Sequence, residues 1–319
     1  MINKIFLLAV GLFAFTDVFS QSAFDLIDYP VQLKNKAVFN LKIPAGYKIS
    51  PAMEGLKRPR FFAKSPDGRL IITDMYSRAD NKLGRVLILE NWDNNTKRFT
   101  RSITFLDSLH NPNQLAFNTS NGQHYIYIAE TGKLSYYTYR PGDTTPSSSP
   151  TVIATFPDYG LSYKYGGWHL TRSISFYSNK LYVSVGSSCD ACIEKEEIRA
   201  TVVEMDPDGS NQRIYARGLR NSVGLKWVDN KLWATSMGRD NLGPDKPEDL
   251  LLTVVDGEWY GWPFYFQFRK KILADPAFKD SVQPSYIKRP PVAPYAFKAH
   301  SVPLGFDYFT GFSDSLFNN

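Results

Sequence analysis

Cysteine is scarce in this sequence, which contains two cysteines in 319 residues, Cys189 and Cys192. A tetrahedral zinc site would need two more ligands close to the pair. A thioredoxin-like redox pair has the same spacing, but no strand-helix-strand pattern surrounds it here. In an exported chain the spacing favours a small-loop disulfide over both alternatives.

Three common catalytic signatures are also missing, and so is a basic stripe. The sequence has no Gly-x-Ser-x-Gly, His-Glu-x-x-His or Gly-x-Gly-x-x-Gly, so triad hydrolases, zinc proteases and nicotinamide enzymes lack positive support. The formal net charge is +6, but acidic residues interleave with the basic ones. This pattern argues against nucleic acid as a partner and leaves room for a local basic pocket that binds an anionic small molecule.

Long apolar runs are absent except at the N-terminus. There, Lys4 precedes an apolar run over residues 5–15, and Ser20 follows at the expected cleavage position. This is the layout of a cleavable export signal over residues 1–20, and the run is short for a membrane span. We therefore expect the mature chain, residues 21–319, to be periplasmic or extracellular without stable membrane insertion. A retained N-terminal anchor is the alternative.

What is present is a recurring pattern of a short apolar strand, a polar turn and a second alternating strand. Gly, Pro, Asn and Asp separate the repeats, whereas aromatic and β-branched residues fill them, and no long stretch keeps a helical period. The repeat centres lie roughly 50 to 60 residues apart, an interval typical of four-stranded propeller blades. The four copies are residues 58–74, 111–130, 170–186 and 220–238.

These repeats predict an all-β propeller with four-stranded blades, as a single domain over residues 21–319. A partial fifth copy begins at residues 300–309, and the sequence stops shortly afterwards. About five blades are therefore expected, with the ring incomplete at its C-terminal end. An unclosed propeller would leave strand edges bare, which costs stability and cofactor affinity.

Polar residues stand just before the first strand of several repeats. In a propeller the innermost strands line a central channel, so the residues that precede them converge although they are distant in sequence. Imidazole and guanidinium groups at such positions would suit an anionic cofactor or an acid-base step, whereas the simpler alternative is that they cap strand ends and bind water. The residues concerned are His110, His169, Arg220 with Asn221, and His300.

Three consecutive motifs carry a family resemblance: "YARGLRNSVGLKW", "LWATSMGRDNLGPDKPEDLL" and "DGEWYGWPFY". Together they resemble the glucose/sorbosone dehydrogenase family, and the segment around the cysteine pair is similar to its sorbosone-dehydrogenase-like branch. The resemblance is strongest over residues 169–263. It implies a six-bladed propeller that oxidises sugars or related alcohols with pyrroloquinoline quinone (PQQ) and Ca²⁺.

The resemblance also implies roles for individual residues. His169 matches the catalytic base that takes the substrate hydroxyl proton, and Arg220 matches the cation that stabilises negative charge on the quinone. Asn221 would hydrogen-bond the same cofactor, and His110 and His300 are further candidates for holding it. The run Gly238, Arg239 and Asp240 matches the segment that offers oxygen ligands to Ca²⁺, although Asp240 could equally form a turn or pair with Arg239.

The leading hypothesis is an exported PQQ- and calcium-dependent sugar dehydrogenase that passes electrons to an external acceptor. Two alternatives remain: a non-catalytic propeller that binds carbohydrate or a protein partner, and a calcium-dependent hydrolase of the lactonase type. The hydrolase would need several acidic side chains on the metal, whereas the predicted site is mainly basic or neutral. Two features depart from the family: its further basic cofactor contacts would lie beyond Asn319, and some relatives differ at Arg239.

Overall fold

The computed structural model describes residues 25–158, 168–285 and 287–308, and these residues form an all-β structure. Within these ranges the helical segments are two single 3-10 turns, Asp240–Leu242 and Pro276–Phe278. No helix in the described part of the chain is long and apolar enough to cross a membrane. The predicted export signal, residues 1–20, lies outside the described ranges.

The chain divides into two compact units, of which the first is residues 1–54. Its described part is a hairpin of strands β1 (Leu26–Gln32) and β2 (Val38–Pro44), which pair antiparallel. The carboxylate of Glu54 accepts hydrogen bonds of 3.1 and 3.2 Å from the backbone N–H of Lys34, beside the turn of the hairpin.

The second unit, residues 55–319, contains four antiparallel four-stranded sheets in a propeller-like arrangement, here called blades one to four. Blade one holds β3 (Pro59–Lys64), β4 (Leu70–Asp74), β5 (Gly84–Asp93) and β6 (Arg98–Leu109). Blade two holds β7 (Leu115–Ser120), β8 (Gln123–Ala129), β9 (Lys133–Tyr139) and β10 (Thr151–Thr155). Blade three holds β11 (Arg172–Tyr177), β12 (Lys180–Val185), β13 (Thr201–Met205) and β14 (Arg213–Arg217). Blade four holds β15 (Leu225–Val228), β16 (Lys231–Ser236), β17 (Asp249–Val254) and β20 (Tyr295–Phe297), with a separate hairpin of β18 (Tyr265–Phe268) and β19 (Lys271–Ala274) before β20.

The all-β prediction is confirmed, and each of the four repeats found in the sequence forms the first hairpin of one blade. The number of blades differs from the expectation. The described residues contain four blades where the sequence predicted about five. In the fifth repeat, residues 300–308 form no strand, and the rest of that repeat lies outside the described ranges.

The apolar core lies between consecutive blades. Each of three buried clusters combines side chains from two neighbouring sheets, because the alternating residues of each strand present apolar groups to both faces. Between blades one and two, Ile88 and Ile128 are fully buried. The corresponding buried pairs are Leu134 and Val183 between blades two and three, and Val202 and Leu232 between blades three and four.

The first strands of the blades contact one another in the order β3, β7, β11 and β15. Polar side chains connect their starting ends. The Asn113 side chain, just before β7, accepts a hydrogen bond of 2.9 Å from Arg60 Nε and donates one of 3.0 Å to the carbonyl of Arg172. Ser173 Oγ then donates to the carbonyl of Val223, which precedes β15, at 2.6 Å. The segments that precede the inner strands are thus brought close together.

Candidate active site

A cavity of about 190 Å³ lies at the starting ends of the inner strands of blades three and four. All the site residues predicted from the sequence line this cavity, except His110. The remaining lining comes from the β16–β17 connection and from the segment after β20. The described lining residues are His169, Arg220, Asn221, Met237, Gly238, Arg239, Asp240, Pro247, Asp249, His300 and Val302.

The backbone holds His169 in an unusual conformation just before β11. Its φ of 55° is left-handed, which is uncommon for a residue other than glycine. The buried guanidinium of Arg172 donates a hydrogen bond of 2.9 Å to the His169 carbonyl and so stabilises this turn. Gly186 leaves room for the imidazole, because a Cβ atom there would lie 2.6 Å from the His169 Cβ and 3.0 Å from the Asn221 Oδ1. The glycine therefore permits the close approach of both side chains.

The hydrogen bonds of His169 define its tautomer. Nδ1 lies 2.9 Å from the carbonyl oxygen of Ser187 and 2.9 Å from its Oγ. The Ser187 hydroxyl donates its own proton to the carbonyl of Cys189 at 2.7 Å, so Nδ1 carries the hydrogen and donates to Ser187. Nε2 of the neutral imidazole then bears the lone pair, as a general base requires.

Burial and the nearby charge of Arg220 lower the pKa of His169 to about 3, from an ordinary value of 6.5. Both effects disfavour the protonated ring, because each makes a second positive charge in the cavity wall costly. The imidazole of the ligand-free protein is therefore neutral throughout the neutral pH range.

This lowered pKa predicts a pH-dependent stability. Between pH 6.5 and 3 the unfolded chain binds a proton at residue 169 that the folded chain does not, so the contribution of His169 to stability falls as the pH falls. Urea unfolding from pH 7 to pH 4 should show the wild-type protein losing more stability than the variant His169→Asn, which does not titrate. Parallel pH curves for the two proteins would contradict the prediction.

Arg220 is a buried cation, with 3% of its side chain exposed, held on several sides. Nε donates to the carbonyl of Asp190, Nη1 to the carbonyl of Gly238 and Nη2 to the carboxylate of Asp190, each at 2.8 Å. Nη2 also lies 3.3 Å from the carboxylate of Asp240, and the guanidinium carbon lies 5.7 Å from the centre of the Trp168 ring. These contacts fix the guanidinium plane and its charge at the cavity wall.

Asp190, the main partner of Arg220, belongs to the loop closed by the disulfide between Cys189 and Cys192. Burial acts to raise the pKa of Asp190, but the hydrogen bond from the Asp240 N–H and the charge of Arg220 outweigh it and lower the pKa. Asp190 therefore stays ionised and offsets part of the charge of Arg220. The disulfide that the cysteine spacing favoured is present in the structure.

Asn221 presents an amide to the cavity. Its side chain is largely buried, and among the described residues its Nδ2 has one hydrogen-bond acceptor, the weak thioether sulfur of Met237 at 3.4 Å. A buried amide without a strong acceptor is costly, so a polar ligand in the cavity would satisfy it.

The segment from Gly238 to Asp240 follows β16 and lines the cavity next to Arg220. The Gly238 N–H donates to Asp249 Oδ1 at 2.8 Å, and the second oxygen of Asp249 accepts from the N–H of Val302 at 2.8 Å. Arg239 Nη1 lies 2.9 Å from both oxygens of the buried Asp275, and its Nε lies 3.7 Å from the carboxylate of Asp190, which also binds Arg220.

The two remaining predicted histidines have different surroundings. His300 lines the cavity, and its Nε2 lies 2.9 Å from the carbonyl of Gly243. His110 precedes β7 as predicted, but its Nε2 pairs with the carboxylate of Asp80 and its N–H donates to Glu130 at 2.7 Å. His110 is not among the described residues that line the cavity, so the structure gives no support to a cofactor contact there.

Sequence reasoning missed the residues that hold the predicted ones in place. Ser187 sets the tautomer of His169, Asp190 binds Arg220, and Asp249 ties Gly238 to Val302. The signal available for Asp190 was its place within the cysteine pair, which marks a constrained loop. Nothing local marked Asp249, because its two partners come from different parts of blade four.

Comparison with known proteins gives relatives of low identity. No family model matches the chain. An uncharacterized protein of Borreliella burgdorferi is 23% identical over 287 residues, which cover 85% of this chain and 68% of that protein.

Solved structures share the fold. A calcium structure of a Trichoderma reesei carbohydrate-active enzyme of family AA12 aligns with a TM-score of 0.63 at 20% identity, covering 79% of this chain and 70% of that one. A glucose dehydrogenase aligns with a TM-score of 0.59 at 16% identity over 84% of this chain and 80% of that one. The apo-form of the soluble aldose sugar dehydrogenase from Escherichia coli gives 0.57 at 13% identity, over 82% of this chain and 78% of that one. At these identities the likeness establishes that the chain shares the all-β fold of these proteins.

Proposed function

We propose that this protein is an exported dehydrogenase that oxidises a sugar or related alcohol with PQQ and Ca²⁺ and passes the electrons to an external acceptor. One observation carries the proposal. A neutral imidazole with its Nε2 lone pair available, His169, and a fixed guanidinium, Arg220, line the same cavity. The fold shared with sugar dehydrogenases supports the class of substrate.

The polar groups of the cavity fit a quinone. PQQ is a planar, anionic molecule with carbonyl and carboxylate oxygens, which accept hydrogen bonds. Within the described ranges the amide hydrogens of Asn221 meet only a thioether sulfur, and Arg220 supplies a fixed positive charge beside them. These two residues would hold the quinone oxygens, and His300 would line the same pocket.

The charge of the surroundings favours a cation together with the anionic quinone. Arg220 and Arg239 line the cavity together with the carboxylates of Asp240 and Asp249. Two further carboxylates, Asp190 and Asp275, bind these guanidinium groups, so the formal net charge of the six side chains is −2. Gly238 and Asp240 offer oxygen atoms, the ligand type that Ca²⁺ prefers. A carbonyl oxygen has two lone pairs, so Gly238 can bind the ion while it accepts a hydrogen bond from Arg220. Arg239 would contribute its carbonyl, because its side chain is bound to Asp275.

When bound, the quinone supplies the acceptor for the hydride that leaves the substrate carbon. His169 takes the hydroxyl proton from the same substrate at Nε2, and Ser187 holds the Nδ1–H so that the ring keeps the required tautomer. Burial is the larger cause of the lowered pKa of His169 and the charge of Arg220 is the second, and an anionic group beside Arg220 would offset this second cause. Cofactor binding is therefore expected to raise the pKa of His169 and to make it a stronger base.

The test is a calorimetric titration of PQQ into the protein with and without Ca²⁺. We expect binding that requires Ca²⁺ and disappears when the ion is removed with a chelator, because the net negative surroundings oppose the anion alone. The control is the variant His124→Asn, whose substituted side chain on blade two does not line the cavity. This variant should bind PQQ with Ca²⁺ as tightly as the wild-type protein does. The absence of binding by a folded protein would overturn the proposal. Binding without oxidation of any sugar would instead favour a non-catalytic propeller.

A further inference from the structure

The segment from Ser187 to Cys192 contacts both His169 and Arg220. At one end, the carbonyl and hydroxyl of Ser187 accept the Nδ1–H of His169, and the Ser187 N–H donates to the carbonyl of Arg220 at 2.8 Å. At the other end, Asp190 accepts two hydrogen bonds from the Arg220 side chain. The disulfide closes the part of the segment that carries Asp190.

Further contacts fix this segment from outside. Trp262 Nε1 donates to the carbonyl of Asp190 at 3.2 Å, and the N–H of Asp240 donates to Asp190 Oδ1 at 2.6 Å. Glu194 accepts from the N–H and the hydroxyl of Ser188, both at 2.6 Å. Asp190 therefore joins the disulfide loop to the wall that contains Gly238 and Asp240.

We infer that the loop closed by Cys189 and Cys192 is a positioning element, in which Asp190 orients the Arg220 guanidinium for an anionic ligand in the cavity. The carbonyl and the carboxylate of Asp190 accept from two neighbouring nitrogens of the guanidinium, Nε and Nη2, so rotation of Arg220 requires the loop to move. This role deepens the proposed function and rests on it for the identity of the ligand, but the orientation of Arg220 does not depend on the cofactor.

The disulfide matters because it restricts the short loop around Asp190. A closed ring removes conformations in which the Asp190 carbonyl would turn away from Arg220 Nε. Without the bond, the loop would lose the carbonyl contact more readily than the carboxylate contact, because a side chain can follow a moving partner and a carbonyl cannot. The two contacts are thus separable by mutation.

The experiment measures Arg220 directly in the full chain, by the exchange of its Nε–H with water in side-chain NMR of ¹⁵N-arginine-labelled protein. The signal is assigned by its loss in Arg220→Lys. In the variant Cys189→Ser/Cys192→Ser we expect exchange at least about ten-fold faster than in the wild-type protein, the ratio that corresponds to about 1.4 kcal/mol. Unchanged exchange in the folded double variant would overturn the inference.

The isosteric variant Asp190→Asn keeps the backbone carbonyl that accepts from Nε and one side-chain oxygen, and it loses the charge and the second oxygen that accepts from Asn241, so it should leave Nε–H exchange nearly unchanged. Asp190→Ala removes the side-chain acceptor and should weaken binding of PQQ with Ca²⁺ about ten-fold or more, with Asp190→Asn in between. Asp256→Ala is the matched control, since it removes a carboxylate from a two-bond pair with Arg213 away from the cavity. Equal affinities for Asp190→Ala and Asp256→Ala would also count against the inference. If the wild-type protein binds no PQQ, the proposed function fails while the exchange measurement still decides the role of the loop.

Discussion

Replacement of His169 by asparagine is expected to lower sugar oxidation by about 10²- to 10⁴-fold, the usual contribution of a general base, while the quinone still binds. Asparagine tolerates the left-handed backbone of this position, and its amide can donate to the Ser187 carbonyl as Nδ1–H does. It cannot accept a proton at the place of Nε2. The change therefore removes the base and retains the local structure.

The measurement is the turnover number of the variant loaded with PQQ and Ca²⁺, compared with its quinone affinity. His124→Asn is the matched control, because it makes the same chemical exchange on β8, at a side chain that contacts Thr119. Wild-type turnover in His169→Asn with bound quinone would show that another group takes the proton. Equal losses in both variants would point to a general effect of the exchange.

The variant Arg220→Ala should lose both cofactor affinity and stability. Removal of the guanidinium takes away the donor that binds the carbonyls of Asp190 and Gly238 and the carboxylate of Asp190. We expect the free energy of unfolding to fall by about 3 kcal/mol, the lower end of the range for breaking a buried ion pair. The lower end applies because Asp190 keeps hydrogen bonds from Asp240 and Asn241.

Urea unfolding followed by tryptophan fluorescence measures this loss. The control is Asp256→Ala, which breaks the two-bond pair with Arg213 at an exposed site, leaves Arg213 its bond to Glu204, and should cost no more than about 1 kcal/mol. A similar cost for both variants would mean that the contacts of Arg220 contribute no more than those of a surface pair. Arg220→Lys keeps the charge without the planar fork and is expected to retain part of the cofactor affinity.

The sequence predicted those parts of the fold that depend on local pattern. Alternation and turn residues identified the four hairpins, because side-chain direction in a strand has a period of two. The same pattern placed His169 and Arg220 before inner strands, and the structure brings both to one cavity. His110 occupies the same position in its repeat, yet Asp80 from the preceding blade binds it. A local pattern cannot foresee such a partner.

The supporting contacts were beyond sequence reasoning for a related reason. Asp190 lies 30 residues before Arg220 in the sequence, between β12 and β13, whereas Arg220 follows β14 of the same blade. Asp249 meets Val302 across a separation of 53 residues. These pairings depend on how distant segments of one blade meet, and neither composition nor periodicity records that geometry.

The side chain of Asn113 has a consequence for how the blades depend on one another. It accepts from Arg60 of blade one and donates to Arg172 and Ser173 at the start of blade three, although it belongs to the approach to blade two. Fold stability in a repeat architecture is described as a sum of blade terms and nearest-neighbour couplings. Here a single amide serves two couplings at once, so those junctions do not contribute independently. A displacement of Arg60 in blade one would therefore weaken, through Asn113, the hydrogen bond to the carbonyl of Arg172. The guanidinium of Arg172 in turn holds the backbone of His169.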